Sequence, residues 1–137
     1  MDVVDAPTRS RMMGAIAGRN TKPEMTVRKF LHARGYRFRL HRKDLPGRPD
    51  IVLPKWKACI FVHGCFWHRH TNCRYATTPK TRYEFWSKKF RENVARDQRN
   101  IDALQAAGWR CHVIWECELR NSDDKLEQLI SQLKMGS

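Results

Sequence analysis

Apolar residues recur with helical spacing in three stretches of the chain, and each stretch begins at residues that favour a helix N-terminus. Residues 21–24 form a capping-box sequence with proline in the first turn, and Gly35 follows as a stop, which predicts a helix over residues 22–34. The same capping pattern at Thr81 predicts a long helix that runs to about Ala107. A last amphipathic helix is predicted after the cap at Ser122-Asp123-Asp124, with an apolar face made of Leu126, Leu129, Ile130 and Leu133.

Shorter apolar stretches between these helices predict β-strands. Residues 36–40 alternate between apolar and basic side chains, which favours a half-buried strand with arginines on its open face. Residues 51–53 and 58–62 are apolar runs separated by a turn and predict paired central strands, and residues 109–115 predict a further strand. This order, without repeats or linkers, predicts one α/β domain over residues 1–137, with a small mixed sheet flanked by helices.

The charge of the chain indicates its partner. Lys and Arg number 27 against 14 Asp and Glu, which gives a formal charge of +13 over 137 residues. Such an excess favours a polyanion such as nucleic acid. The sequence contains no apolar run of the roughly 18 residues that a membrane span needs, and its start lacks the features of a signal peptide, so we expect no membrane contact and a cytosolic location.

Metal-binding residue types are dense between His63 and Cys73, where three histidines and two cysteines occur. An odd total of five cysteines in a cytosolic chain favours thiols or metal ligands over disulfides. Four residues would fill a closed, structural zinc shell: Cys65, His70, Cys73 and Cys117. Three other histidines compete for the nitrogen position: His63, His68 and His112. Cys59 and Cys111 lie in apolar runs and are expected to be buried thiols.

Two acidic residues stand in apolar surroundings. Asp50 lies at the entry to a strand, where an acid either forms a turn or holds a cation. Asp97 falls on the apolar stripe of the long helix, which is made of Trp86, Phe90, Val94, Ile101 and Leu104. An acid in that position is costly to desolvate unless it has a partner, so we expect it to contact a cation or a histidine, the alternative being a structural hydrogen bond.

Aromatic residues beside basic segments suggest contact with a duplex. Phe66 and Trp67 are adjacent in the tight His/Cys loop, where little core is available to bury them, whereas Trp86 could equally be a core residue. Arg9, Arg11 and Met13 place basic and apolar side chains in residues 1–20, a segment that is either a DNA-gripping arm or a basic tail.

Motifs along nearly the whole chain resemble those of the very short patch repair (Vsr) mismatch endonuclease family. They are Thr8-Arg9-Ser10 with Met13, Leu45-Pro46-Gly47-Arg48-Pro49-Asp50, His63-Gly64-Cys65-Phe66-Trp67-His68, Thr81-Arg82 with Glu84-Phe85-Trp86, Asn93-Val94 with Arg96-Asp97, and Gly108-Trp109 through Trp115-Glu116-Cys117. The resemblance implies a restriction-endonuclease-like fold with a structural zinc. It also implies Mg²⁺-dependent nicking of one DNA strand on the 5′ side of the thymine of a T:G mismatch. Such mismatches arise from deamination of 5-methylcytosine, and nicking initiates very short patch repair.

The resemblance also implies residue roles. Asp50 would ligate Mg²⁺ together with the main-chain carbonyl of Val62, and His68, oriented by Asp97, would act on the attacking water. His63 would assist at the phosphate or leaving oxygen. Glu24 would be an accessory acid, although its place in a capping box also accounts for it.

The remaining roles follow from the same resemblance. Cys65, His70, Cys73 and Cys117 match the zinc shell, and the rings of Phe66, Trp67 and Trp86 match those that enter the duplex beside the mismatch. The amino-terminal segment, with Arg9, Arg11 and Met13, would grip the other groove.

The resemblance further implies a monomer that acts on mismatched double-stranded DNA. It would be associated with the bacterial nucleoid and could contact other repair proteins. The rival interpretation is a non-catalytic, zinc-stabilised DNA-binding module, which leaves the acids at positions 50 and 97 unexplained. A zinc hydrolase or nucleobase deaminase would need an open zinc site and motifs that the sequence lacks.

Overall fold

The structure is a computed structural model that describes residues 21–120 and 122–135. The predictions for Arg9, Arg11, Met13 and the segment 1–20 lie outside the described residues. In chain order the elements are α1 (Lys22–Ala33), β1 (Arg39–Leu40), β2 (Ile51–Leu53), a 3₁₀ turn (Pro54–Trp56), β3 (Ala58–His63), α2 (Cys65–His68), α3 (Tyr83–Ala106), β4 (Arg110–Trp115), a second 3₁₀ turn (Glu116–Leu119) and α4 (Asp124–Met135).

The first helix begins and ends as its sequence predicts. The hydroxyl of Thr21 accepts a hydrogen bond from the backbone N–H of Glu24 at 3.3 Å. At the other end Gly35 has a φ of +82°, and the N–H of Tyr36 donates to the carbonyl of Leu31 at 3.0 Å. Glycine closes the helix because the left-handed conformation strains other residues.

The long helix α3 differs from its prediction at one end. It begins at Tyr83, and its N-cap is Arg82 in the left-handed region, without a side-chain cap. The predicted capping box at Thr81 is therefore wrong, because the turn at Arg82 leaves Thr81 outside the helix. The predicted C-terminal end is confirmed: Gly108 has a φ of +91°, and the N–H of Trp109 donates to the carbonyl of Leu104 at 3.0 Å.

Within the described residues the strands form a four-stranded mixed sheet in the order β1-β2-β3-β4. The β1–β2 and β2–β3 pairs are antiparallel and the β3–β4 pair is parallel. The predicted mixed sheet is confirmed, but the first strand is shorter than predicted, since only Arg39–Leu40 of residues 36–40 pairs with β2. Arg37 and Arg39 are exposed, as the alternation indicates.

Helices cover both faces of the sheet. One buried cluster joins α1 and α4 to the sheet and includes Leu31, Ile60 and Leu129, and the other joins α3 to the opposite face through Val52, Phe61 and Leu104. Strands buried on both faces explain the continuous apolar runs. None of the helices in the described residues combines the length and apolar character that a bilayer span requires.

The buried stripe of α3 is rotated from the predicted one. Phe90, Asn93 and Leu104 are buried, whereas Val94 is exposed by 44 %. The prediction that Val94 belongs to the stripe is wrong, because the helix turns Asn93 toward the fold instead. Cys59 is fully buried as predicted, but Cys111, its direct partner across β3 and β4, is only half-buried.

Candidate active site and metal cluster

A cleft of about 820 Å³ lies where β2 begins and β3 ends. The start of α1, the loop before β2, the short helix α2 and the middle of α3 all contribute side chains to it. Its lining brings together the predicted catalytic residues and one that the sequence did not suggest: Glu24, His41, Asp50, Val62, His63, His68 and Asp97.

Asp50 stands at the start of β2, between the neighbouring strands. Its Oδ2 accepts a hydrogen bond from the N–H of Val62 at 2.7 Å. Burial raises the pKa of Asp50 to about 6, the Val62 N–H opposes this shift, and the nearby Glu24 carboxylate adds to it. The N–H and C=O of one strand residue point to the same edge, so the Val62 carbonyl faces the side on which Asp50 lies.

Two histidines and an acid form a second group in the lining of the cleft. The Nδ1 of His68 lies 2.6 Å from Oδ2 of Asp97, which is the histidine contact that the position of Asp97 on its helix predicts. The rings of His63 and His68 stack with centroids 3.8 Å apart and an angle of 4° between their planes. Burial, with a smaller effect of His68, lowers the pKa of His63 to about 3, so its imidazole is neutral at physiological pH.

Glu24 is buried, and its carboxylate points into the cleft. It forms an ion pair with Arg28 and lies 3.1 Å and 3.0 Å from Nε2 of His41, measured to Oε1 and Oε2. The capping contact at Thr21 uses only the backbone N–H of Glu24. Its side chain therefore contributes to the cleft in addition to the helix end.

His41 was missed by sequence reasoning, because its place in the cleft depends on the register of β1 and β2. Leu40 pairs with Ile51 in the β1–β2 ladder, so the next step of the same register places His41 opposite Asp50. The N–H of His41 donates to the carbonyl of Asp50 at 3.3 Å. This neighbour could be found only once the pairing of β1 with β2 is known.

A second set of potential metal ligands, the Cys/His cluster, begins at α2 and includes a cysteine that follows β4. The donor atoms of Cys65, His70, Cys73 and Cys117 all lie within 4.8 Å of one another. Nδ1 of His70 is 3.7 Å from Sγ of Cys65 and 3.4 Å from Sγ of Cys117. A tetrahedral ion with ordinary Zn–S and Zn–N distances has an S···N edge of about 3.6 Å, so this arrangement could hold such an ion.

The histidine of this cluster is His70. The ring of His70 stacks on Trp115 at 4.3 Å, which fixes its orientation. Two of the competing histidines, His63 and His68, belong to the cleft instead. The third, His112, lies in β4 and is not among the cluster's donors.

The segment between the cleft and the cluster is held by Arg69. Arg69 adopts a left-handed conformation after α2, and its guanidinium donates to the carbonyls of Phe66, Ala76 and Thr77 at 3.1, 2.8 and 2.8 Å. The same guanidinium lies 4.0 Å from the ring centre of Phe90. The short helix that carries His68 is therefore fixed to α3 and to the following loop.

The three predicted DNA-contacting rings lie together, and two of them, Phe66 and Trp67, line the cleft. The ring centre of Phe66 is 5.1 Å from that of Trp67, and Trp67 is 6.1 Å from Trp86. All three rings are half-buried, and Phe66 also packs edge-on against the buried Phe90 at 5.1 Å. They form one aromatic cluster that is anchored in the fold and partly open to solvent.

The fold is similar to that of a solved protein domain. The structure is similar to that of the catalytic domain of the homing endonuclease I-Bth0305I, with a TM-score of 0.57 and 24 % identity, over 83 % of this chain and 94 % of that one. At this identity the likeness defines the fold. This chain therefore shares the mixed α/β fold of that domain.

Sequence comparison identifies the family. A family model described as DNA mismatch endonuclease Vsr matches residues 1–74. The chain is 44 % identical over 131 residues to the DNA mismatch endonuclease Vsr of Escherichia coli K12, covering 96 % of this chain and 83 % of that protein. It is 56 % identical over 115 residues to the type II nicking enzyme V.XorIIP of Xanthomonas oryzae, covering 83 % and 84 %.

The chain therefore belongs to the Vsr family of DNA mismatch endonucleases. It is an endodeoxyribonuclease, and DNA is its substrate. The predictions of family and enzyme class are confirmed, in preference to a non-catalytic DNA-binding module.

Proposed function

We propose that this chain nicks one DNA strand on the 5′ side of the thymine of a T:G mismatch in a Mg²⁺-dependent reaction that initiates very short patch repair. The observation that carries the proposal is the cleft that Asp50, His63 and the His68–Asp97 pair all line. The similarity to a curated mismatch endonuclease and to nicking enzymes supports cleavage of one strand at a mismatch. Deamination of 5-methylcytosine would supply such mismatches.

Asp50 and the carbonyl of Val62 would hold Mg²⁺ in the cleft. Both are oxygen donors, the type that this hard cation prefers. When bound, the ion neutralises charge on the phosphate and lowers the pKa of water. The hydrogen bond from the Val62 N–H fixes one carboxylate oxygen of Asp50, which orients the other oxygen toward the cleft.

His68 would remove the proton from the attacking water. Asp97 accepts from Nδ1 of His68, and this selects the tautomer whose Nε2 can take a proton. The water oxygen then forms its bond to phosphorus as the bond to the leaving oxygen breaks, and that oxygen takes a proton from solvent in the open cleft. The neutral His63, stacked on His68, would donate a hydrogen bond to the phosphate.

We assign zinc to the cluster of Cys65, His70, Cys73 and Cys117. Three thiolates and an imidazole match the preference of Zn²⁺, and four protein ligands leave no position for water, so the ion would be structural. It would tie α2, which carries Phe66 and Trp67, to the turn after β4. Glu24 would act as an accessory acid beside Asp50.

The aromatic cluster of Phe66, Trp67 and Trp86 would enter the duplex beside the mismatch. A mismatched step is easier to unstack than a paired one, so deformability would contribute to recognition. Arg9, Arg11 and Met13 would grip the other groove as part of a single domain over residues 1–137. The enzyme would act as a monomer on nucleoid DNA in the cytoplasm, where other repair proteins could contact it.

A panel of labelled duplexes tests this specificity. Each strand is labelled in turn, in duplexes that contain T:G, C:G, T:A or another mismatch in the same flanking sequence. We expect Mg²⁺-dependent nicking of the thymine strand of the T:G duplex, at its 5′ side, with C:G and T:A duplexes intact. Equal nicking of paired and mismatched duplexes, or of both strands, would contradict the proposal.

A further inference from the structure

His41 lies beside the carboxylates of the cleft without a role in the function proposed above. Donor atoms of Glu24, His41 and Asp50 all lie within 4.8 Å of one another, so one ion could contact all three. This group is distinct from the group of His63, His68 and Asp97, which also lines the cleft. The cleft therefore offers a nitrogen donor on the same side as its two acids.

The distances within this group fit neighbouring ligands of one ion. Nε2 of His41 is 3.1 Å from Oε1 and 3.0 Å from Oε2 of Glu24. Two adjacent ligands of an octahedral ion, each about 2.1 Å from the metal, lie about 3.0 Å apart. A hydrogen bond between imidazole and carboxylate has the same length, so the distance permits both arrangements and the experiment below separates them.

Hydrogen bonds and an ion pair within the protein hold the three residues in place. The capping contact at Thr21 sets the position of Glu24, and the N–H of His41 donates to the carbonyl of Asp50. Arg28 contacts Oε2 of Glu24, and the N–H of Val62 holds Oδ2 of Asp50. Pre-positioned side chains are what a site for a divalent ion requires.

We propose that His41 is a ligand of the divalent ion in this cleft, together with Glu24 and Asp50, and that its imidazole makes the site bind Mn²⁺ more tightly than Mg²⁺. An imidazole nitrogen suits first-row transition metals, whereas Mg²⁺ favours oxygen donors and retained water. The inference rests on the proposed function for Asp50 as a metal ligand. It adds His41 as a ligand and predicts which ion the site prefers.

The substitution His41→Gln replaces the nitrogen donor by an amide and keeps a polar side chain. His32→Gln is the matched control, because His32 is exposed on α1, away from the cleft. Both variants are made in the full-length, zinc-loaded chain. Titration calorimetry then gives the affinities for Mn²⁺ and Mg²⁺ without DNA, and pulsed EPR detects ¹⁴N coupling to bound Mn²⁺.

We expect wild type and His32→Gln to show ¹⁴N coupling and tighter binding of Mn²⁺ than of Mg²⁺. His41→Gln should lose the coupling and weaken Mn²⁺ binding by about 10- to 100-fold, with a much smaller change for Mg²⁺. Coupling that persists in His41→Gln would come from His63 or His68 and would overturn the assignment. Unchanged Mn²⁺ affinity in His41→Gln would also overturn it and would leave His41 as a hydrogen-bond partner of Glu24.

A second variant separates this inference from the function on which it rests. Asp50→Ala should lose Mn²⁺ binding and DNA nicking together. If Asp50→Ala behaves in this way while His41→Gln binds Mn²⁺ normally, only the assignment of His41 fails. If Asp50→Ala still nicks DNA, the proposed active site itself fails.

Discussion

Asp97 illustrates how one side chain on a helix can be assigned a partner from periodicity. It occupies the face of α3 that turns toward the fold, and only 19 % of its side chain is exposed. The hydrogen bond to His68 compensates for that desolvation and fixes the imidazole. The contact between Asp97 and His68 therefore serves two purposes: it stabilises a buried acid and it orients the proposed base.

Replacing Asp97 by Asn should slow catalysis while preserving the fold. The amide can present its N–H₂ to Nδ1 and favour the wrong tautomer of His68, so we expect the single-turnover nicking rate to fall by about 10²- to 10⁴-fold. Asp102→Asn is the control, because Asp102 is exposed on the same helix and contacts Gln98. Equal rates for Asp97→Asn and Asp102→Asn would refute the role of Asp97.

The contrast between Asp97 and His41 shows the limit of sequence reasoning for single residues. The partner of Asp97 could be predicted because helical geometry alone places the acid on the apolar face. His41 is close to Asp50 only because β1 pairs with β2, and the sequence alone does not define the register of that pair. Its place in the cleft depends on that register.

At the scale of elements, the loop before β2 packs tightly on α3. Gly47 has a φ of +75°, and a Cβ added there would lie 2.8 Å from Cβ of Asn100. Gly35, which ends α1, has a similar φ of +82°, but an added Cβ would meet nothing within 4 Å. A comparison of alanine substitutions at the two glycines therefore separates the effect of backbone strain from the effect of close packing.

We expect Gly47→Ala to destabilise the fold by about 1–3 kcal/mol more than Gly35→Ala. Both substitutions strain a left-handed residue, but only the first pushes the loop that leads to Asp50 away from α3. Urea unfolding measures the difference, and the nicking rate should fall only for Gly47→Ala. Equal loss of stability in the two variants would show that the contact with Asn100 is unimportant.

Element boundaries could be predicted where a local signal determines them. The ends of α1 and the C-terminal end of α3 follow from Thr21, Gly35 and Gly108, whose effects are local. The short helix α2 could not be predicted, since it depends on distant partners. The N–H of Cys65 donates to Glu116 at 3.3 Å, and Arg69 joins it to the loop after it.

At the scale of the whole molecule, the Cys/His cluster brings together segments that are far apart in sequence. Cys65 is the first residue of α2 and His70 and Cys73 follow that helix, whereas Cys117 lies in the 3₁₀ turn after β4. An ion bound there would hold the aromatic rim and the end of the sheet together. Structural zinc sites contribute directly to folding for this reason.

Removal of the proposed zinc ion should unfold or loosen the whole domain. We expect Cys117→Ser to lose bound zinc and to reduce the free energy of unfolding by more than about 4 kcal/mol. Cys111→Ser is the matched control, since Cys111 lies in β4 outside the cluster and should retain zinc. Zinc content by elemental analysis and thermal unfolding measure both effects. An unchanged melting temperature in zinc-free Cys117→Ser would contradict a structural ion.

The net charge of +13 attracts the phosphates of the duplex and so contributes to DNA affinity, but it does not select a base. Catalysis, in contrast, is proposed to depend on Asp50. The most direct measurement is therefore the single-turnover nicking rate of Asp50→Ala on a T:G duplex, with binding to the same duplex measured in parallel. The account predicts binding close to that of wild type and no detectable nick. Nicking at the wild-type rate would contradict it.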